Sequence, residues 1–286
     1  LAVGVGIIAW ATGEHPFRGQ DVVNIRRVSG LYGQVMTFAN SLQFSVVALA
    51  IFFLSPQWWA KITRVPYWFL VVVLLFAGVG LYLTYTRGAM LGVVTGFTIY
   101  ALMRSYKLLA LVVLIGIGGA TFAYFDGGRY LRAKSPIRVN HWRAAAVCFV
   151  ERPVLGLGYR NFESHSAGLK KRYGFKKDDV RIPGKKPQVI YPQGHAHNNV
   201  LESFASMGIF GGIAFLGFCF AWLREMRRSR HALLFVPLIG AFFVAGMVEN
   251  TFYDSEVLNC ILLIYLMSQW SLSREKRDDP LISART

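Results

Sequence analysis

Charged residues are scarce in this chain: only 16% of its 286 residues are Asp, Glu, Lys or Arg, and the acidic ones are outnumbered 15 to 31. Cysteine is scarcer still. Cys148, Cys219 and Cys260 cannot all pair with one another, and two of them lie in apolar stretches where a thiol acts as a small hydrophobe. Neither a disulfide nor a cysteine-based metal site is expected. The patterns HExxH and CxxC and closely spaced carboxylate pairs are missing, so no metal and no other cofactor is assigned. The glycines of GLGYRNF (156–162) have the wrong spacing for a dinucleotide fingerprint and follow no strand-to-helix unit. Internal repeats and low-complexity tracts are also absent.

Apolar residues take the place of what is missing. They make up 54% of the chain, the mean hydropathy is +0.41, and the formal net charge is +16. A soluble domain of this size has no use for so much apolar material, whereas a hydrocarbon core of about 30 Å is crossed by roughly 20 apolar residues. Apolar runs near 35–54, 66–85, 88–103, 107–125, 200–223, 233–249 and 255–272 predict about seven spans. The chain is thus expected to be an all-α, polytopic helical membrane protein. It divides into a membrane part at 1–125, a loop at 126–199, a second membrane part at 200–272 and a tail at 273–286. The opening LAVGVGIIAWA is too short to span and reads as the end of a helix that begins further upstream.

Orientation follows from positive residues near span ends. Lys61 and Arg64, Arg104 and Lys107, Arg224 to Arg230, and Arg274 to Arg277 alternate correctly along the chain, which places them and the tail in the cytoplasm. The 126–199 loop then lies on the opposite side. It holds 15 Lys plus Arg against 5 Asp plus Glu, and four of the six histidines. Within it, IRVNHWRAAAVCFVE has apolar residues at helical spacing and predicts an amphipathic helix lying at the membrane interface, ending in a turn at Pro153 to Gly158. The basic stretch LKKRYGFKKDDVRIPGKKPQ is expected to be mobile.

The segment HAHNNVLESFASMGIFGG, from His195 to Gly212, sets costly polar groups at the lip of a span. On a continuous helix His197 and Gly208 share a face, and Gly208 with Gly212 forms a small-xxx-small pair that lets a neighbouring helix approach. Asn198 and Asn199 are caps on one view; on another, His197 is a titratable group at a reaction centre. Glu202 is either a helix-start residue favoured by the dipole or a partner for His197 or an arginine. Glu249 and Asp254, at the last turn on that side, share this ambiguity. Arg87 lies in a tight turn where arginine is uncommon, so an anion is its expected partner. Arg138 shares a helical face with Trp142, and Arg138 and Arg143 bind either lipid head groups or a phosphate-bearing substrate, for which the guanidinium fork is suited. His195 and His197 fall on different sides of a helix, and no fixed geometry joins them to His141 or His165 as metal ligands.

Together, TRGAMLG, RVNHW, PVLGLGYRNF and HAHNNVLESFASMGIFGG resemble, in order, the O-antigen ligase and polymerase superfamily of bacterial membrane enzymes. The most specific element is His197-Asn198, nine residues, then Gly208-x-x-Gly211. The resemblance implies a GT-C-like helical fold with a large periplasmic loop, in the bacterial inner membrane. It further implies a glycosyltransferase taking its glycan from undecaprenyl pyrophosphate, with a glycan or lipid A core as acceptor, membrane lipid as surroundings and no nucleic acid partner. By motif position Arg87 and Arg138 would bind pyrophosphate and His197 would be the essential histidine. Asn198, Glu202, Arg143, Trp142, Arg27 and Arg160 would contact substrate, Arg26 and Arg27 by a looser match of NIRRVSGLYGQ. Ligase, polymerase and protein O-glycosylation remain open, as does a transporter or flippase.

Overall fold

The computed structural model describes residues 1–17, 27–32, 34–125, 136–175, 177–180 and 188–278. Arg26 and part of the basic stretch expected to be mobile lie outside the described residues. Helices come in the order α1 (Ala2–Thr12), α2 (Val35–Leu54), α3 (Pro56–Ile62), α4 (Tyr67–Leu83), α5 (Arg87–Arg104), α6 (Tyr106–Phe125), α7 (Pro136–Glu151) and α8 (Phe162–Arg172). After a two-stranded ribbon follow α9 (Asn199–Met226), α10 (Ala232–Gly246) and α11 (Ser255–Asp278). The ribbon joins β1 (Asp178–Val180) to β2 (Gln188–Ile190) in antiparallel register, Asp179 opposite Val189. It is a small β element added to an otherwise helical architecture.

Among the described residues, α2 and α9 are long and apolar enough to cross a membrane. Shorter apolar helices are α1, α4, α10 and the Tyr106–Gly118 part of α6.

Two compact units divide the chain. The first comprises Leu1–Tyr130, Trp222–Ala245 and Ser255–Thr286. Its central element is α2, packed on α4, α5 and α11, with Phe38, Val47 and Ile51 fully enclosed. Close approach depends on Gly92 of α5, where a Cβ would come within 2.1 Å of the Gln43 side-chain oxygen and 3.0 Å of the Ala241 carbonyl. Small residues at such contacts are the usual means by which helices pack in lipid, where van der Waals contact replaces the hydrophobic effect. At the head of α5, Arg27 donates from Nε to the Thr84 carbonyl (2.7 Å) and from Nη2 to the Thr86 hydroxyl (3.0 Å). That brace fixes the turn from which Arg87 starts the helix.

The second unit comprises Leu131–Ala221 and Gly246–Asp254. In α7, buried residues recur at His141, Ala144, Ala145 and Cys148, the spacing of one helical face. That stripe packs with Phe162 and Leu169 of α8 and with Ala196 and Ala205, a core in which each large side chain contributes about 1.5–3 kcal/mol of burial. Val139, Arg143 and Val150 are exposed on the remaining surface of α7. Part of the basic stretch is ordered: Leu169 to Arg172 form the last turn of α8, and Lys170 is fully buried.

The expectation of a continuous helix from His197 through Gly208 is corrected. His197 precedes α9 and has a left-handed backbone (φ 49°), and α9 is broken at Gly208 (φ 65°, ψ −161°). Nor does Gly208 receive a neighbouring helix. A Cβ there would lie 2.2 Å from the Val154 carbonyl oxygen, and Gly212 faces Phe204 of its own helix. What enters the break is the 153–158 loop, which supplies the hydrogen bonds the helix has lost. Leu157 and Gly158 donate their amides to the Ala205 (3.1 Å) and Ser206 (2.7 Å) carbonyls, and the Ile209 amide donates to the Pro153 carbonyl (2.7 Å). A helix break inside an apolar segment is tolerable only when its backbone groups find such partners.

Candidate active site

Three consecutive residues, His197, Asn198 and Asn199, grip one turn of the chain about fifty positions downstream. His197 Nδ1 lies 3.4 Å from Glu249 Oε2. Asn198 accepts the Val200 and Leu201 amides at Oδ1 (2.9 and 3.0 Å), which caps α9, and donates from Nδ2 to the Met247 carbonyl (2.8 Å). Asn199 accepts the Thr251 and Phe252 amides (2.9 and 3.0 Å) and donates to the Thr251 hydroxyl (2.8 Å). The turn at 246–254 is thereby held against the head of α9.

Glu249, 2% exposed, is the hub of this arrangement. Its Oε1 accepts from Arg138 Nη2 and its Oε2 faces His197, so one buried carboxylate ties a guanidinium on α7 to the imidazole before α9. A buried carboxylate without such partners would be heavily penalised, so the pairing accounts for its presence. Glu202, which the sequence allowed either as a helix-start residue or as a partner for His197 or an arginine, is bonded elsewhere. It accepts the Ala196 amide (2.7 Å) and the Ser206 hydroxyl (3.1 Å), fixing the strap that leads into His197.

Two further histidines surround His197. The His195 ring centroid is 4.1 Å away and that of His141 is 5.8 Å. The His197 amide donates to His195 Nδ1 (3.2 Å), which requires that nitrogen to be unprotonated and puts the proton of the neutral ring on Nε2. Burial, followed by the neighbouring His197, pushes His195 down to about 4. His141 is pushed down to about 3, by burial first and then by the Lys170 ammonium and the other two histidines. Lys170 Nζ sits 3.1 Å from His141 Nδ1 and donates to the Pro192 carbonyl (2.8 Å), while the Gly194 amide donates to Ser166 Oγ (3.1 Å). Helix α8 thus pins the strap that carries His195 and His197. Among the described residues no group of three His, Cys, Asp or Glu side chains is arranged to hold a metal ion.

These shifts make acid sensitivity predictable. In the unfolded chain His141 and His195 take up protons near pH 6.5, whereas in the folded chain they stay neutral until about 3 and about 4. The unfolded state therefore binds more protons over that interval, and stability falls as pH drops from 6.5 toward 4, by at most about 1.4 kcal/mol per pH unit for each ring. Thermal unfolding in detergent across this range should have a shallower pH slope in His141→Gln than in the parent. Identical slopes would contradict the neutral, buried state of His141.

Of the other expected substrate contacts, Trp142 is half-buried, and its indole N–H has no acceptor among the described residues. Arg143 is exposed. Arg160 is exposed with a left-handed backbone (φ 61°), next to Tyr159, which packs on Tyr253 at 5.4 Å. Arg87 and Arg27 belong to the first unit, Arg87 exposed as the first residue of α5.

Two residues of the site, Glu249 and Lys170, are not assigned to it by the sequence. Glu249 does carry a signal, since an isolated carboxylate at the edge of an apolar run requires a cation nearby. Lys170 carries none, because a Lys-Lys-Arg run ordinarily faces water.

The described residues thus join a histidine, an arginine and a carboxylate at the head of a helix long and apolar enough to cross a membrane. A family model described as O-antigen ligase matches residues 70–216, and the chain belongs to that family. The match includes Arg87, Arg138, His197, Asn198 and Glu202 and ends before Glu249. No curated protein matches the chain. Membership makes it a membrane protein of the ligase and polymerase type, glycosyltransferase-like and directed at lipid-linked glycans.

Proposed function

We propose that the chain transfers a glycan from undecaprenyl pyrophosphate to an acceptor hydroxyl, with the lipid A core as acceptor, on the periplasmic face of the bacterial inner membrane. About seven of its helices cross that membrane. The observation that carries the proposal is the single buried Glu249 holding Arg138 and His197 together. A base for a hydroxyl and a fork for phosphate oxygens are the two groups such a transfer needs, and here they share one counter-ion.

The reaction is metal-independent and inverting. The acceptor oxygen forms a bond to the anomeric carbon as the bond from that carbon to the diphosphate oxygen breaks, the electron pair leaving with the diphosphate. His197 takes the acceptor proton, and Glu249 stabilises the imidazolium that results, a combination typically worth about 10² to 10⁴ in rate. Arg138 neutralises charge developing on the departing oxygens, using guanidinium N–H groups other than the one given to Glu249. Arg87 enters by its motif position. As a cation at the N-terminus of α5 it adds to the positive end of the helix dipole, a combination that favours an anion.

The full-length protein, expressed in a strain lacking its own ligase, should restore transfer of lipid-linked glycan to lipid A core. Alanine at His197, Arg138 or Arg87 should abolish that transfer while the protein still reaches the membrane. Undiminished transfer in all three variants would end the assignment. Chain growth on lipid-linked repeats without an added acceptor would make the enzyme a polymerase instead.

A further inference from the structure

Between α7 and α8 the chain forms a hairpin whose backbone and side chains have opposite circumstances. Its backbone is anchored at both ends, through the bonds from Pro153, Leu157 and Gly158 into the broken α9 and from the Gly156 amide to the Arg152 carbonyl (3.0 Å). At its tip the side chains are apolar and uncovered: Val154 is 54% exposed and Leu155 75%, with Val150 at the end of α7 at 77%. Leaving groups of this size in water forgoes the free energy that burial would give them.

The neighbouring helix indicates what covers them. From Asn199 to Gly208 no residue of α9 is exposed, and the polar ones, Asn199, Glu202, Ser203 and Ser206, are buried. From Ile209 to Phe220, beyond the break, the exposed large side chains are all apolar: Ile209, Phe210, Ile213, Leu216 and Phe220. The hairpin meets α9 at this changeover, since Pro153 accepts the first amide beyond it. On either side of the tip stand the exposed arginines Arg152 and Arg160.

The geometry points to the 152–160 hairpin as a wedge that dips Val154 and Leu155 into the acyl chains of the lipid bilayer, with Arg152 and Arg160 at the phosphates of the head groups. Irregular backbone is admissible in hydrocarbon only when its N–H and C=O groups are paired within the protein, so the side chains of Val154 and Leu155 enter the acyl chains while the backbone of the tip stays at the level of the head groups, anchored to the broken α9 through Pro153, Leu157 and Gly158. An apolar tip between basic flanks suits an anionic surface, to whose phosphates the arginines are attracted. The wedge has a consequence for the site. Gly208 lies nine helical steps from Asn199, about 13 Å at 1.5 Å per step, so with α9 along the membrane normal the tip holds His197 beyond a head-group layer of about 5–8 Å. This placement rests on the proposed periplasmic orientation for the choice of leaflet, but not on the proposed chemistry.

The test is a nitroxide on Leu155→Cys in the full chain, with Cys260 replaced by Ser, in vesicles of phosphatidylethanolamine and phosphatidylglycerol. Collisions with oxygen, which concentrates in hydrocarbon, should dominate those with a water-soluble nickel chelate. A label on Lys171→Cys, exposed on α8, should show the reverse. A Leu155 label that meets the nickel chelate as freely as the Lys171 label overturns the wedge. So does a label shielded from both agents with dipolar broadening between copies, which would make the tip a protein contact. Should Leu155→Cys fail to fold, the same measurement on Val150→Cys decides. A preparation with its tip in water that still transfers glycan would sink the wedge and leave the proposed function standing.

Discussion

Glu249→Gln is expected to lower glycan transfer by about 100-fold or more, per folded molecule, with the variant still inserted in the membrane. Glutamine keeps the volume and removes the charge. Arg138 then faces an amide where it had a carboxylate, and His197 Nδ1 loses the anion that stabilises the imidazolium. Removing one partner of a buried pair typically costs about 3–5 kcal/mol, and less is expected here because Arg138 is 23% exposed. Thermal unfolding must therefore accompany the assay, so that lost rate is separated from lost protein. Glu249→Asp offers a control, since it retains the charge while drawing it back by one methylene, and it should recover part of the rate. Parent-like transfer by Glu249→Gln would show that the carboxylate has no share in the chemistry.

Gly208→Ala is expected to be the most destabilising single methyl in the second unit, at about 3 kcal/mol or more. Two costs act together. The backbone (φ 65°, ψ −161°) lies in a region that side chains other than glycine hardly adopt, and the new Cβ would sit 2.2 Å from the oxygen and 2.4 Å from the carbon of the Val154 carbonyl. Both contacts are with backbone, which cannot rotate away. Gly217, on the same helix with nothing within 4 Å of its hypothetical Cβ, gives the comparison. There alanine should be neutral or stabilising by up to about 1 kcal/mol, since it favours helix. Unfolding midpoints in detergent that agree for the two variants would mean that the loop does not occupy the break.

Several helices could be read from the sequence because a long apolar run, whether buried in lipid or in a protein core, satisfies its backbone as a helix. Val35–Leu54 coincides with the apolar run at 35–54 for that reason. His197 was legible through the spacing of His-Asn and Gly-x-x-Gly, a local signal. What the same glycine does was not legible, because a glycine in an apolar run serves helix packing and helix breaking alike. The decision lies with the 153–158 loop, some fifty residues upstream. Glu249 was undecided for a related reason: its partners are 111 and 52 positions away, and sequence spacing carries no trace of either contact. Lys170 is the sharpest case. A basic run predicts a solvated face, yet α8 turns its first member inward to meet His141 and the Pro192 carbonyl.

The grip of His197, Asn198 and Asn199 on the 246–254 turn also governs when the centre comes into being. During synthesis the histidine leaves the ribosome 52 residues ahead of its carboxylate. The whole of α10 must be made between them, so the nascent polypeptide carries its base without a counter-ion through that interval. A product terminated between residues 217 and 248 would retain every residue of the family match and still lack the carboxylate that the proposed mechanism uses.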